Sequence, residues 1–206
     1  MTVARRERNE LLDVSRQLGP DAPTLCEGWT THDLLAHLWV REHVPKALPG
    51  LVVPALHPVT ERAEQRARER FGFDELLEAL AHPPAAARLA GDAGNLHEFF
   101  VHHEDVRRAN QMTPRPADPE LDGGLWRRLR AMGPVLFRRA RPVDLVLRTP
   151  EGRQMAVVPF ARGERVEVVG PVPELFLLAF NRRKAQVEWE GDAQVVAALR
   201  GTTFGL

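Results

Sequence analysis

Glu98 and His102 stand four residues apart in the stretch Leu96-His97-Glu98-Phe99-Phe100-Val101-His102-His103-Glu104-Asp105. On a helix such a pair projects from one face with Cβ atoms about 5–6 Å apart, close enough for both side chains to grip one metal ion. A second stretch, Trp29-Thr30-Thr31-His32-Asp33-Leu34-Leu35-Ala36-His37-Leu38, supplies another imidazole, His37. Two histidines and one glutamate form a catalytic-type zinc set, which keeps a coordination position open for water or substrate. The same donors suit nickel, iron or manganese, so residue types leave the metal open.

Projected at about 100° per residue, the later stretch places Leu96, Phe99, Phe100, His103 and Val106 on an apolar face. Glu98, His102 and Asp105 form an adjacent stripe, while His97, Glu104 and Arg108 fall on a third face expected to be solvated. A site at the edge of a bundle core needs such a stripe. Plainer roles stay open: a Glu-x-x-x-His pair is also a common surface contact, and a helical histidine such as His37 or His103 also serves as a hydrogen-bonded core residue. Cys26 can approach the site from a loop or pack as a small filler. His32, His43, His57 and His82 have no partnered spacing.

The elements that would carry these residues can be read from pattern. Arg5 to Leu18 is amphipathic and stops at Gly19-Pro20; Thr31 to Val44 follows a capping-box-like Thr30 and Asp33. A charged helix, Thr60 to Arg70, continues after Gly72 as Asp74 to Ala81, and the Glu98 helix runs from about Asn95 to Asn110. Such a set suggests a four-helix bundle, where sites are built from facing helices. Pro114, Pro116 and Pro119 mark a linker, followed by a helix from Glu120 to Arg139. Strands are expected at Val143–Arg148, Gln154–Phe160, Arg165–Val169 and Ala185–Glu190, with helices at Pro173–Arg182 and Asp192–Leu199. The expected class is α+β: an N-terminal four-helix bundle over 1–112, then a small C-terminal α+β domain over 119–206.

Composition sets outer bounds. The 206 residues carry 28 basic and 28 acidic side chains, so no net field points to nucleic acid. Cys26 is the only cysteine, which excludes an internal disulfide and fits a reducing compartment. The N-terminus lacks the apolar core of a signal peptide. No apolar run approaches the roughly 20 residues that cross a bilayer. A cytoplasmic protein without membrane or nucleic-acid partners, a monomer or homodimer, is expected. No serine elbow, phosphate loop or CxxC pair is present.

Trp29-x-x-x-Asp33-Leu34-x-x-His37-Leu38, followed by Glu98-x-x-x-His102-x-x-Asp105, resembles the DinB/YfiT-like superfamily. Within it the chain is most similar to the mycothiol-dependent maleylpyruvate isomerase family of actinobacteria. Leu145-x-Leu147 with Gly152-Arg153, Glu174-Leu175-x-Leu177 through Arg182, and Gly191-Asp192 resemble that family's small second domain. The resemblance implies that His37, Glu98 and His102 bind a divalent metal, most often zinc. It implies that Asp105 orients a ligand by accepting a hydrogen bond, a local ion pair with Arg107 or Arg108 being the alternative. It makes Trp29 a loop anchor.

The resemblance further implies a low-molecular-weight thiol, mycothiol in actinobacteria, as cosubstrate beside a small electrophilic substrate. A coordinating thiol is deprotonated, and the thiolate is the nucleophile. Attack on an electrophilic carbon then ends in a released conjugate, an S-transferase, or in elimination after bond rotation, a cis–trans isomerase. The family holds an acidic substrate with an arginine in a Gly-Arg pair; here Asn181-Arg182 occupies that place, which makes Arg182 the substrate-binding candidate and departs from the pattern. A non-enzymatic metal-binding or stress-associated protein and a metal-assisted hydrolase are the competing readings.

Overall fold

The structure, a computed structural model, describes residues 1–51, 53–85, 91–158 and 160–205, apart from the side chains of 51, 54 and 91–94. It divides into two compact units, Met1–Pro116 and Ala117–Leu206. The first is helical and the second carries a small sheet, giving the expected α+β class.

In the first unit α1 is Val3–Leu18, α2 Thr31–His43, α3 His57–Arg70, α4 Phe73–Ala81 and α5 Gly91–Ala109. α1 packs against α5 and α4, and α2 against α3 and α4. Leu11, Leu34, Leu35, Leu76, Leu80, Phe99 and Val106 are all buried in this unit. α1 ends where Gly19 takes φ +85°, a conformation that favours glycine, and its N–H reaches Ser15 O at 2.9 Å. α2 begins with a reciprocal cap: Thr30 Oγ1 accepts from Asp33 N at 3.3 Å, and Asp33 Oδ2 accepts from Thr30 N at 2.9 Å.

Several boundaries differ from expectation. α3 starts at His57 because Pro58 sits in the first turn, where its missing N–H costs nothing. The proline-rich stretch expected as loop forms 3₁₀ turns at Pro45–Leu51 and Pro54–Leu56. α5 begins at Gly91 rather than Asn95.

In the second unit α6 is Pro119–Leu136, capped by Asp118, whose Oδ1 accepts from Glu120 N and Leu121 N at 3.1 Å. A 3₁₀ turn at Arg138–Ala140 replaces its expected last turn. The strands are β1 Asp144–Arg148, β2 Gln154–Ala156, β3 Arg165–Val169 and β4 Glu188–Glu190; α7 is Val172–Ala179 and α8 Ala193–Gly201. They form one sheet in the order β2-β1-β3-β4, with β1 and β3 parallel in the centre and antiparallel strands at both edges. Leu145, Leu147, Val166 and Val168 are buried, as are Leu175 and Phe176 on α7 and Leu125 and Leu129 on α6.

β2 is shorter than Gln154–Phe160, although Val157 N still reaches Leu145 O at 2.9 Å; Pro159 lies outside the described residues. β4 spans only the last part of the expected Ala185–Glu190, because Gln186 N is taken by Glu174 Oε2 at 2.7 Å. α7 stops before Arg182, where Asn181 turns to φ +61°. Gly163 sits so close to Pro142 that a Cβ there would stand 2.7 Å from its carbonyl oxygen.

Candidate metal centre

α2 and α5 bring His37, Glu98 and His102 together: one ligand atom from each lies within 4.8 Å of the others. The two rings meet edge-on with centroids 5.3 Å apart, and both residues are buried. Thr30 and Asp33 fix the start of α2, and the four-residue spacing on α5 stacks Glu98 one turn before His102.

Each donor is oriented by a neighbour. His37 Nδ1 lies 2.7 Å from Glu64 Oε1, a residue of α3, and this leaves Nε2 for the centre. His102 Nδ1 lies 3.0 Å from Asp105 Oδ2, which again leaves Nε2. Glu98 Oε1 is held by Arg41 at 3.1 Å and by His97 Nε2 at 3.1 Å, while Oε2 faces His102 Nε2 at 3.6 Å. That last separation is too long for a good hydrogen bond. It fits two ligands of one ion, whose donor atoms stand about 3.4 Å apart at tetrahedral zinc distances. A carboxylate behind each ligating imidazole is the usual support for a metal-binding histidine, since it fixes the tautomer and raises the basicity of the free nitrogen.

The electrostatics suit a cation. With both rings neutral, Glu64, Glu98 and Asp105 outnumber Arg41 by two charges within this cluster. Burial pushes His37 below the usual imidazole range, against the hydrogen bond its Nδ1–H donates to Glu64, and so favours the neutral form. Burial would raise Glu98, yet His102, His97 and Arg41 outweigh it and hold the carboxyl well below its ordinary range. Burial also opposes a charge on His102, but Asp105, Cys26 and Glu98 reverse the balance and hold its proton well above the ordinary value. The donor set fits a divalent ion, which would have to displace that proton.

The remaining candidates are placed as follows. Asp105 is fully buried and faces His102, whereas Arg107 and Arg108 pair with Glu104 at 3.5 and 2.7 Å. Glu104 is therefore a buried ion-pair partner, which corrects its expected place on a solvated face; His97, at Glu98, corrects the same expectation. His103 is buried and its Nδ1 lies 3.3 Å from Glu7 Oε2. Glu7, Glu10 and His103 also group their donor atoms, but the Arg115 guanidinium already sits among them, bonded to Glu7 and 3.0 Å from Glu10. Trp29 packs on the His37 ring at 5.1 Å between centroids. Cys26 Sγ stands 3.4 Å from Asp105 Oδ2 and 4.0 Å from His102 Nδ1. Arg182 belongs to the second unit, where Nη1 donates to Phe180 O at 2.8 Å.

Glu64 and Arg41 were not singled out by sequence pattern. Arg41 carried a signal, being four residues after His37 and so on the same face of α2. Glu64 carried none, as one carboxylate among several on a highly charged helix.

Residues 4–147 match the family model described as the mycothiol maleylpyruvate isomerase N-terminal domain. A solved structure of the mycothiol-dependent maleylpyruvate isomerase has a similar fold, with a TM-score of 0.58 at 15% identity over 91% of this chain and 90% of that one. No curated protein matches. Among the described residues no helix is long and apolar enough to cross a membrane.

Proposed function

We infer that this chain, which belongs to the mycothiol maleylpyruvate isomerase N-terminal domain family, is a metal-dependent enzyme using a low-molecular-weight thiol on a small electrophilic substrate. The observation that carries this reading is the convergence of the buried His37 and His102 with the half-buried Glu98, each held by a neighbouring side chain. Three protein donors suit a catalytic site with an open position, whereas structural zinc sites take four. Zinc is the metal proposed, and mycothiol, the thiol named in the family description, is the proposed cosubstrate. Isomerisation and S-transfer share the same first step, attack by sulfur on carbon.

A bound divalent ion would supply the Lewis acidity that lowers the pKa of a thiol presented to it. The chain's own residues do the rest. Glu64 and Asp105 keep both Nε2 atoms turned to the centre, and Arg41 with His97 keeps Glu98 from swinging away. Trp29 packs against the His37 ring. Arg182 is proposed as the partner of an acidic group on the substrate.

The test is metal analysis of purified protein, followed by calorimetric titration of mycothiol into wild type and His102→Ala. Stoichiometric metal and saturable thiol binding are expected in wild type, and loss of both in the variant. Unchanged metal content in His102→Ala would show the site is elsewhere. Metal without thiol binding would remove the thiol reading and turn attention to hydrolysis or a structural role.

A further inference from the structure

We propose that Cys26, Asp105 and Nδ1 of His102 form a second, alternative cation seat that selects thiophilic ions, on the far side of the His102 ring from Glu98. One donor atom from each of the three lies within 4.8 Å of the others. The separations are 3.4 Å from Sγ to Oδ2, 3.0 Å from Nδ1 to Oδ2 and 4.0 Å from Sγ to Nδ1. Tetrahedral zinc with sulfur, nitrogen and oxygen ligands requires edges of about 3.4 to 3.6 Å, so each lies within about 0.5 Å of its ideal.

The loop carrying Cys26 is built to keep it there. Leu25 N donates to Asp105 O on α5 at 3.2 Å, and Asn110 Nδ2, just past the end of α5, donates to Pro23 O at 3.0 Å. Thr24 Oγ1 accepts from Cys26 N at 3.1 Å and donates to Trp29 O at 3.0 Å. Asp105 is fully buried while Cys26 is half-buried, which gives an ion a route in from solvent.

A sulfur donor shifts preference toward soft ions such as Cd²⁺ or Cu⁺, whereas the His37, Glu98 and His102 set has only nitrogen and oxygen. Filling the second seat sends the Cys26 thiol proton and the Nδ1 proton of His102 to solvent, with the ring keeping a proton on Nε2. A neutral imidazole offers one nitrogen, so the two seats exclude each other. A thiophilic ion therefore takes His102 away from the first centre and silences it. The inference rests on His102 being a ligand of that centre.

The metal-free protein would be titrated separately with Cd²⁺ and Co²⁺ while thiolate-to-metal charge-transfer absorption is followed. Cd²⁺ should bind wild type at one equivalent with that absorption. Cys26→Ser should lose at least nine-tenths of it, and His37→Ala should retain it. Cd²⁺ binding without the band, no Cd²⁺ binding, or an equal band in Cys26→Ser would each overturn the second seat. Failure of Co²⁺ to bind wild type while the Cd²⁺ band stands would instead count against the first centre alone.

Discussion

Glu64 on α3 faces Nδ1 of His37 on α2 at 2.7 Å, and through that contact a helix outside the His37, Glu98 and His102 trio sets the orientation of one of its members. Glu64→Gln should keep the fold and weaken zinc binding by roughly 10- to 100-fold, the usual cost of losing a ligand's supporting carboxylate. Competition against a chelator measures it. An affinity equal to wild type would show that Glu64 does not support a ligand.

The Glu7 site predicts an acid-side loss of stability. Burial alone would raise the Glu7 carboxyl, but His103 and Arg115 overcome it and hold it down to about 2, against 4.5 when unperturbed. A depressed carboxyl stabilises fully above the unfolded value, and the contribution disappears as pH falls toward the folded one. Glu10 and Glu104 also face Arg115, at 3.0 and 3.7 Å. Glu7 itself accounts for on the order of 3 kcal/mol. Denaturant unfolding from about pH 5 to about pH 2 should show wild type losing its advantage over Glu7→Gln; a constant difference would contradict the assignment.

Arg182 separates two roles by kinetics. Its guanidinium donates to Phe180 O near the end of α7, which gives it a structural use worth about 1 kcal/mol. If it also holds an acidic substrate, Arg182→Ala should raise KM about tenfold or more with a much smaller change in kcat. A shifted unfolding midpoint with unchanged KM would confine Arg182 to the backbone contact.

Thr30→Ala should cost about 1 kcal/mol by removing the acceptor for Asp33 N. Asp33 Oδ1 also holds Arg68 of α3 at 2.9 Å, so α2 keeps a tether after the cap is lost. Metal affinity should consequently fall less than in Glu64→Gln. Denaturant midpoints and chelator competition on the same samples check both statements.

The fold was legible where local pattern and burial agree. β3 matches its expected residues because Val166 and Val168 alternate inward against β1. β4 is shorter than its pattern suggests because Glu174, 12 residues earlier, captures Gln186 N. The spacing of Glu98, His102 and Asp105 on α5 was likewise readable, since a helix turns sequence distance into a shared face. Glu64 was invisible because its partner lies 27 residues away and nothing near it in sequence distinguishes it from its charged neighbours. A helical projection turns His97 and Glu104 outward because it cannot see the contacts with Glu98 and Arg108 that draw these side chains inward.

The sheet has a consequence for how the protein behaves in concentrated solution. Both of its edges are three-residue strands, and β4 carries Glu188 and Glu190. A short, acidic edge gives a neighbouring chain few backbone groups to pair with and repels a second copy approaching in register. The central strands β1 and β3, with Leu145, Leu147, Val166 and Val168 buried, are flanked on both sides, where no other molecule can template on them.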